Sequence, residues 1–190
     1  FYEAVDMCFE GVSAASVLDL GCGTGLELNR LFRRFPDAAV TGIDLSAGML
    51  ERMMGKYPTQ SIDVIQASYF DVNLGTARYD HALSTYSLHH FSAEEKGRLY
   101  AKIYDSIRPG GLFVWGDYTA QTPERQYDLL RENERLRREN GIKDGFYHFD
   151  IPFTAHAEIG LLRRAGFNSI KIARQWPNTT ILRCKKKAQL

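Results

Sequence analysis

Short, nearly unbroken apolar runs alternate along this chain with longer stretches in which apolar residues recur every three or four positions. The runs read as strands buried on both faces, and the longer stretches as amphipathic helices packed against them. Strands are predicted at Ser16–Leu20, Ala39–Ile43, Ile62–Gln66, Tyr79–Ser84, Leu112–Tyr118, Ser169–Gln175 and Thr179–Lys185. Helices fall between them. The first runs from about Thr24 to Phe35, and the second follows Ser46 as N-cap with Met49, Leu50 and Met53 on one face. The third opens at the capping box Ser92-Ala93-Glu94-Glu95, is striped by Leu99, Ile103 and Ile107, and is stopped by Arg108-Pro109-Gly110-Gly111. The fourth starts at Thr122-Pro123 and ends near Asn140; the fifth runs from Thr154 to Ala165, with Gly166 as its C′ residue. Alternation of this kind specifies an α/β domain with a parallel sheet. The short link Trp176-Pro177-Asn178 makes the last two strands an antiparallel hairpin.

The fourth helix breaks the pattern. Residues 124–139 hold five acidic and five arginine side chains and few apolar ones (Tyr127, Leu129, Leu130, Leu136). Such a helix is mostly solvated or bridges a cavity. The stretch after it, Gly145 to Phe153, mixes aromatics with one histidine and one acid. Residues 119–153 are therefore expected to form a lid over a small-molecule pocket, within a single domain covering residues 1–190.

Composition narrows the partners. At 190 residues, 44% hydrophobic and 25% charged, the chain can bury a core of its own. A formal net charge of +1 leaves no electrostatic footprint for nucleic acid, and Lys185-Lys186-Lys187 reads as a solvated tail. Cys8, Cys22 and Cys184 form no C-x-x-C pair, so neither a disulfide framework nor a zinc site is expected. No apolar segment approaches the ~20 residues that span a bilayer, and no signal peptide is visible; a cytoplasmic protein with no membrane partner is the expectation.

The chemistry concentrates at Val17-Leu18-Asp19-Leu20-Gly21-Cys22-Gly23-Thr24-Gly25. A buried strand ends there in three glycines at alternate positions, which lets the backbone turn sharply and approach a ligand. The dinucleotide fingerprint G-x-G-x-x-G would need its third glycine at position 26, which is Leu26; here it comes one residue early, at Gly25. A nicotinamide-dependent oxidoreductase is disfavoured on that ground.

The run D-L-G-C-G-T-G resembles motif I of the class I S-adenosylmethionine (SAM)-dependent methyltransferases. The resemblance covers almost the whole chain and implies a Rossmann-like, seven-stranded, mostly parallel sheet of order 3-2-1-4-5-7-6 with its last strand antiparallel. It also implies a longer helical segment before the first strand, so a chain opening at Phe1 is short by design, trimmed or a fragment. Its implied cofactor is SAM, with S-adenosylhomocysteine (SAH) as product. Gly21, Cys22, Gly23 and Gly25 would cradle it, with Cys22 a packing residue. Asp19 would sit near the methionine amino group, a role compatible with capping the loop's own N–H groups. Asp44, after the second strand, would accept hydrogen bonds from a ribose diol. Leu45 and Met49 would flank the adenine or ribose, with core packing the other reading of Met49. After the third strand, Ala67 and Ser68 stand where the family often has an acid facing the adenine, and Tyr69 either stacks on that ring or is a core aromatic.

Ser84-Thr85-Tyr86-Ser87-Leu88-His89-His90-Phe91 fits the "hHH(F/L)" ending common in related small-molecule methyltransferases. Ser84 and Thr85 are expected at the cofactor. Tyr86 and His90, with Tyr118, Tyr147 and His148, are expected at the acceptor. His89 or His90 could act as general base, since histidine titrates near neutral pH; the alternative for either ring is a helix cap or a core hydrogen bond. Adjacent side chains are expected to diverge, which argues against a shared metal, and no aspartate cluster marks a magnesium-dependent enzyme. The absence of an Asn/Asp-Pro-Pro-aromatic sequence disfavours base methylation of nucleic acids. The expected function is methyl transfer to a small molecule by in-line displacement. Two alternatives stand beside it: a tRNA-modifying enzyme using carboxy-S-adenosylmethionine, and a SAM-binding module without turnover.

Overall fold

Val17, Leu18, Leu20, Ala82 and Leu83 are fully buried, because their strands lie at the middle of the sheet with helices over both faces. The computed structural model describes residues 1–143 and 149–188. Tyr147 and His148, assigned to the acceptor pocket from sequence, lie outside the described residues. In chain order the elements are α1 (Tyr2–Met7), β1 (Ser16–Leu20), α2 (Leu28–Arg34), β2 (Ala39–Asp44), α3 (Ala47–Lys56), β3 (Ile62–Gln66), β4 (Tyr79–Thr85), α4 (Ala93–Ser106), β5 (Ile107–Tyr118), α5 (Pro123–Glu139), α6 (Ala155–Arg164), β6 (Ser169–Trp176) and β7 (Thr179–Lys185). The sheet order is β3-β2-β1-β4-β5-β7-β6. Pairings β1–β2, β1–β4, β2–β3 and β4–β5 are parallel, while β7 runs antiparallel to both β5 and β6. Strand order reverses between β1 and β4, the place where open α/β sheets bind ligands.

The pleat sends alternate residues to two cores. Val17, Leu112 and Val114 face Leu28, Leu31, Phe32, Leu50 and Met53 of α2 and α3. Leu18, Leu20, Phe113 and Trp115 face Leu99, Ile103, Leu161 and Leu162 of α4 and α6. The second face also holds a fully buried Lys96–Glu158 ion pair, which Tyr100 joins by donating its hydroxyl to Glu158 at 2.7 Å. Helix α4 starts as a complete capping box: Glu95 N–H donates to Ser92 Oγ at 3.3 Å, and Ser92 N–H donates to Glu95 Oε2 at 2.8 Å. Replacing Ser92 with alanine is expected to cost about 1 kcal/mol. In thermal unfolding that is a midpoint about 2–4 °C lower for a domain of this size.

Two expectations from sequence are corrected. The helix after the glycines begins at Leu28, not near Thr24, because Gly25 has φ +65°, a left-handed conformation no α-helix accommodates. Strand β5 starts at Ile107, not Leu112. Helix α4 does end just before Arg108 to Gly111, at Ser106, but that segment belongs to the strand, with a register irregularity against β4 and Lys186 N–H donating to Gly111 O at 2.9 Å. A short helix, α1, precedes β1 and packs Val5 against α2.

Helix α5 buries none of its residues, and its exposed face is laced by Arg135 bridging Glu132 and Glu139. The excursion that carries it is pinned at its base, where Ala120 N–H donates to Phe153 O at 3.0 Å and Ala120 pairs with Thr154. Among the described residues, no helix is long and apolar enough to cross a membrane.

Candidate active site

The loop after β1 folds back over the sheet because Gly21 N–H donates to Ile43 O at 2.8 Å. Gly21 has φ +70°, and a Cβ there would lie 1.9 Å from Ser87 Oγ, so only glycine lets this loop meet the segment after β4. Gly25 makes the equivalent room for Met53: a Cβ would stand 2.8 Å from its Cγ. Cys22 packs its sulfur into the space beside Gly42. Burial first, then the neighbouring carboxylates, push this thiol far above its ordinary pKa, so it is no nucleophile at neutral pH.

Between this loop and the end of β4 lies a cavity of about 370 Å³, lined by Gly21, Cys22, Gly23, Glu27, Asp44, Leu45, Met49, Tyr69, Thr85, Tyr86 and His90, among others. Asp44 sits at the end of β2. Its Oδ2 accepts from Gly23 N–H at 2.9 Å and its Oδ1 from Ser46 N–H at 2.8 Å. A carboxylate has about four acceptor sites, so capacity remains on the cavity side. Leu45 and Met49 are 63% and 46% exposed, which places them on the cavity rim and removes the core-packing reading of Met49.

Asp19 is fully buried at the end of β1, beneath the loop, and Glu27 follows the last glycine. Neither Asp19 oxygen accepts a hydrogen bond, so the loop capping expected of Asp19 is not seen; Asp44 performs it instead. Glu27 Oε2 accepts from Thr85 Oγ1 at 3.2 Å, while Oε1 has no donor. Burial raises both carboxyls above the ordinary range. Asp19 goes furthest, because the Glu27 and Asp44 charges add to the desolvation. Both carboxyls are therefore harder to ionise than free ones.

Several expected residues are placed elsewhere. Ser84 is 1% exposed, and its hydroxyl donates to Leu20 O at 2.8 Å, tying β4 to β1 rather than reaching the cavity. Ala67 N–H donates to Asp44 O at 3.1 Å, a backbone tie that leaves its side chain off the cavity wall. Ser68 lines a neighbouring hollow and accepts from Phe70 N–H. Tyr69, by contrast, stays on the cavity wall as a buried aromatic, edge-on to Phe91 and with its hydroxyl donating to Ser87 O at 3.3 Å.

A second cavity, of about 1080 Å³, opens between the end of β5, α5 and residues 149–152. Tyr118, Arg125 and Asp150 are on its wall. Tyr86 stands at the boundary between the two cavities, with its ring 4.9 Å from that of Tyr118 and stacked on Phe1 at 4.3 Å. Its φ of +50° is a strained conformation for a non-glycine residue, of the kind that clusters at ligand sites.

The two histidines meet at the same boundary. Their rings do not diverge, as adjacent side chains on a strand would: they lie 4.0 Å apart in the irregular segment after β4. His89 Nδ1 contacts buried Asp117 Oδ1 at 2.6 Å, and Asp117 is itself fixed by accepting from the N–H groups of Leu88 and Tyr118. Asp150 Oδ1 lies 3.5 Å from His89 Nε2 and 3.2 Å from His90 Nδ1. Ile151 N–H donates to His89 O at 2.8 Å, which holds the later segment against the histidines. Sequence reasoning passed over Glu27 and Asp117. Glu27 was open to discovery as the acid two residues beyond the last glycine; Asp117 had no signal beyond its place at the end of a strand.

Residues 17–111 match the family model described as a methyltransferase domain. The chain is 24% identical over 183 residues to the carboxy-S-adenosyl-L-methionine synthase of Nautilia profundicola, covering 85% of this chain and 73% of that one. It is 35% identical over 100 residues to the trans-aconitate 2-methyltransferase of Deinococcus radiodurans, covering 53% and 36%. Human N-acetylserotonin methyltransferase, solved in complex with SAM, superposes with a TM-score of 0.71 at 19% identity, over 98% of this chain and 52% of that one. This chain thus spans about half the length of that solved structure. With half its length matched by the family model and the loop, Asp44 and sheet order in place, the chain belongs to the class I SAM-dependent methyltransferase family of enzymes.

Proposed function

We propose that this protein transfers a methyl group from SAM to a small-molecule acceptor held in the cavity beneath α5. The observation that carries the reading is the buried Asp19–Glu27 pair behind the glycine loop, three of whose oxygens have no donor in the protein. Such a pair fits a cationic amino group, which would supply the missing N–H donors and neutralise the charge. Asp44 fits the ribose diol, with its carboxylate held in place by two backbone N–H groups. SAM, when bound, supplies an already activated methyl group, and alignment of donor and acceptor can account for roughly 7–11 kcal/mol of the barrier. The chain's part is to hold, align and keep water out. Tyr86 and His90 face the first cavity and Asp150 the second, so the reacting atoms meet between them. Where the acceptor must lose a proton, His90 is placed to take it, with the Asp150 carboxylate beside the resulting imidazolium. Residues 119–153 act as the lid over the acceptor.

Kinship with carboxy-SAM synthases raises the question of which sulfonium is bound. Among the described residues, no lysine or arginine lines the first cavity, while Arg125 on the second is the cation a carboxylated sulfonium would face, so ligand binding decides between the two forms. The tRNA-modifying alternative is not favoured, since the relatives named above are a synthase of carboxy-SAM and small-molecule methyltransferases.

Thermal shift with SAM, SAH, carboxy-SAM and NAD tests the reading. At a hundredfold excess over Kd, SAM or SAH should stabilise by about 2.7 kcal/mol, a rise of roughly 5–10 °C; stabilisation by NAD alone would sink it. Asp44→Ala should weaken SAM binding about tenfold, the loss of one charge-assisted contact at a half-exposed site. Conversion of SAM to SAH against a pool of small acids, alcohols and amines distinguishes an enzyme from a binding module.

A further inference from the structure

We propose that His89, His90 and Asp150 form a binding site for a first-row divalent transition ion such as Zn²⁺. The three ligand atoms lie within 4.8 Å of one another. Asp150 Oδ1 is 3.2 Å from His90 Nδ1 and 3.5 Å from His89 Nε2. Three donors bound about 2.0–2.2 Å from one Zn²⁺ in tetrahedral geometry stand roughly 3.3 Å apart; the two carboxylate–imidazole separations already match that spacing, and the two ring nitrogens lie within 4.8 Å of each other.

A second observation comes from behind the cluster. Asp117, 1% exposed, takes the His89 Nδ1 contact at 2.6 Å and is locked by two backbone N–H groups. A carboxylate on the far nitrogen of a histidine is the usual orienting partner of a metal ligand, because it fixes the tautomer and raises the basicity of the other nitrogen. That arrangement creates a problem a cation solves. A neutral His89 has one N–H, and Asp117 receives it. Its Nε2 then faces the Asp150 carboxylate lone pair to lone pair. A divalent ion between them turns this repulsion into two ligand bonds.

Two histidines and one carboxylate leave coordination positions open, the pattern of a working rather than a structural site. Those positions face the boundary of the two cavities. The class of ligand they would take is an acceptor oxygen, whose proton then leaves more readily to solvent. Only this role rests on the proposed methyl transfer, and with the ion bound it replaces proton uptake by His90; ion binding itself does not rest on that transfer.

Co²⁺ serves as the probe, titrated into untagged full-length protein and read by its visible absorption, with Zn²⁺ competition as confirmation. One equivalent should bind. Asp150→Asn, at a position 54% exposed and so tolerated by the fold, should weaken binding at least tenfold. Asp117→Asn should weaken it about 10- to 100-fold while leaving the three ligands intact. His156→Ala, at an exposed histidine on α6 away from the cluster, should change nothing. Absence of binding, binding unchanged in Asp150→Asn, or binding lost in His156→Ala overturns the proposal. SAM binding by thermal shift, measured in the same samples, reports separately on the cofactor site.

Discussion

Gly21→Ala is expected to lower the thermal midpoint by roughly 5–15 °C and SAM affinity by about a hundredfold. Two costs add. Alanine at φ +70° pays about 1–2 kcal/mol for the left-handed conformation. Its Cβ would also fall 1.9 Å from Ser87 Oγ and 2.4 Å from Ser87 Cβ, so the glycine loop and the segment after β4 must separate. Overpacking of that kind costs typically 1–3 kcal/mol, and each kcal/mol moves the midpoint of a domain this size by about 2–4 °C. Binding suffers because Gly21 and Ser87 both line the cofactor cavity and move apart together; a hundredfold loss corresponds to about 2.7 kcal/mol. Two companions isolate the causes. Gly21→Ala with Ser87→Gly removes the overlap and should recover part of both losses. Gly48→Ala, in α3 with nothing within 4 Å of the new Cβ, should be neutral or stabilising by up to about 1 kcal/mol. If Gly21→Ala binds SAM normally and melts normally, the close approach of loop and strand end is not required.

Asp19→Asn should move stability and binding in opposite directions. The folded protein holds the Asp19 carboxyl well above its ordinary pKa of about 3.9, chiefly through burial and then through Glu27. Above that ordinary value the unfolded chain has released this proton and the folded chain has not. The folded state therefore binds more protons, and stability falls as pH rises until the raised value is passed. Asparagine cannot ionise, so the cofactor-free variant should lose less stability over the same pH range, and urea unfolding at several pH values reads the difference. Binding goes the other way. A cationic amino group arriving beside the pair favours ionisation, so wild-type SAM binding should release a proton and tighten as pH rises. The variant should release less and bind about 10- to 150-fold more weakly, matching the ~1.5–3 kcal/mol of a hydrogen bond to a charged group. Titration calorimetry in buffers of different ionisation enthalpy counts the protons. Equal proton release by both proteins would remove Asp19 from the cofactor's amino group.

Legibility from sequence followed the range of the interactions. The seven strands were placed within a residue or two, except for the start of β5, because their apolar or β-branched runs, buried on both faces in the central strands, need no distant partner to be recognised. The caps of α3, α4, α5 and α6 fell where Ser46, Ser92, Thr122 and Thr154 stand, since a cap is a contact across three residues. β5 was cut short because Pro109-Gly110-Gly111 reads locally as a stop; the backbone partners that carry the strand across it, Tyr79, His81 and Lys186, are far away in sequence. Ser84 was misplaced for the same reason, because its hydroxyl answers to Leu20 on the neighbouring strand.

The sequence by itself determined the class of the fold, the glycine turn and the kind of cofactor. All three rest on periodicity, on three positive-φ glycines and on an acid at a strand end, features contained within a few residues of chain. Tertiary structure alone decided what the acids and histidines do. The parallel strands and the loops that follow them bring residues 21 to 60 positions apart together beyond the strands' carboxyl ends: Gly23 to Asp44, Asp117 to His89, Asp150 to His90. Charge and burial depend on those separations in space, which no local pattern records. Asp19 and Glu27 make the point at short range, since only the glycine turn, by folding the chain back on itself, makes one buried acid pair of two separate carboxylates.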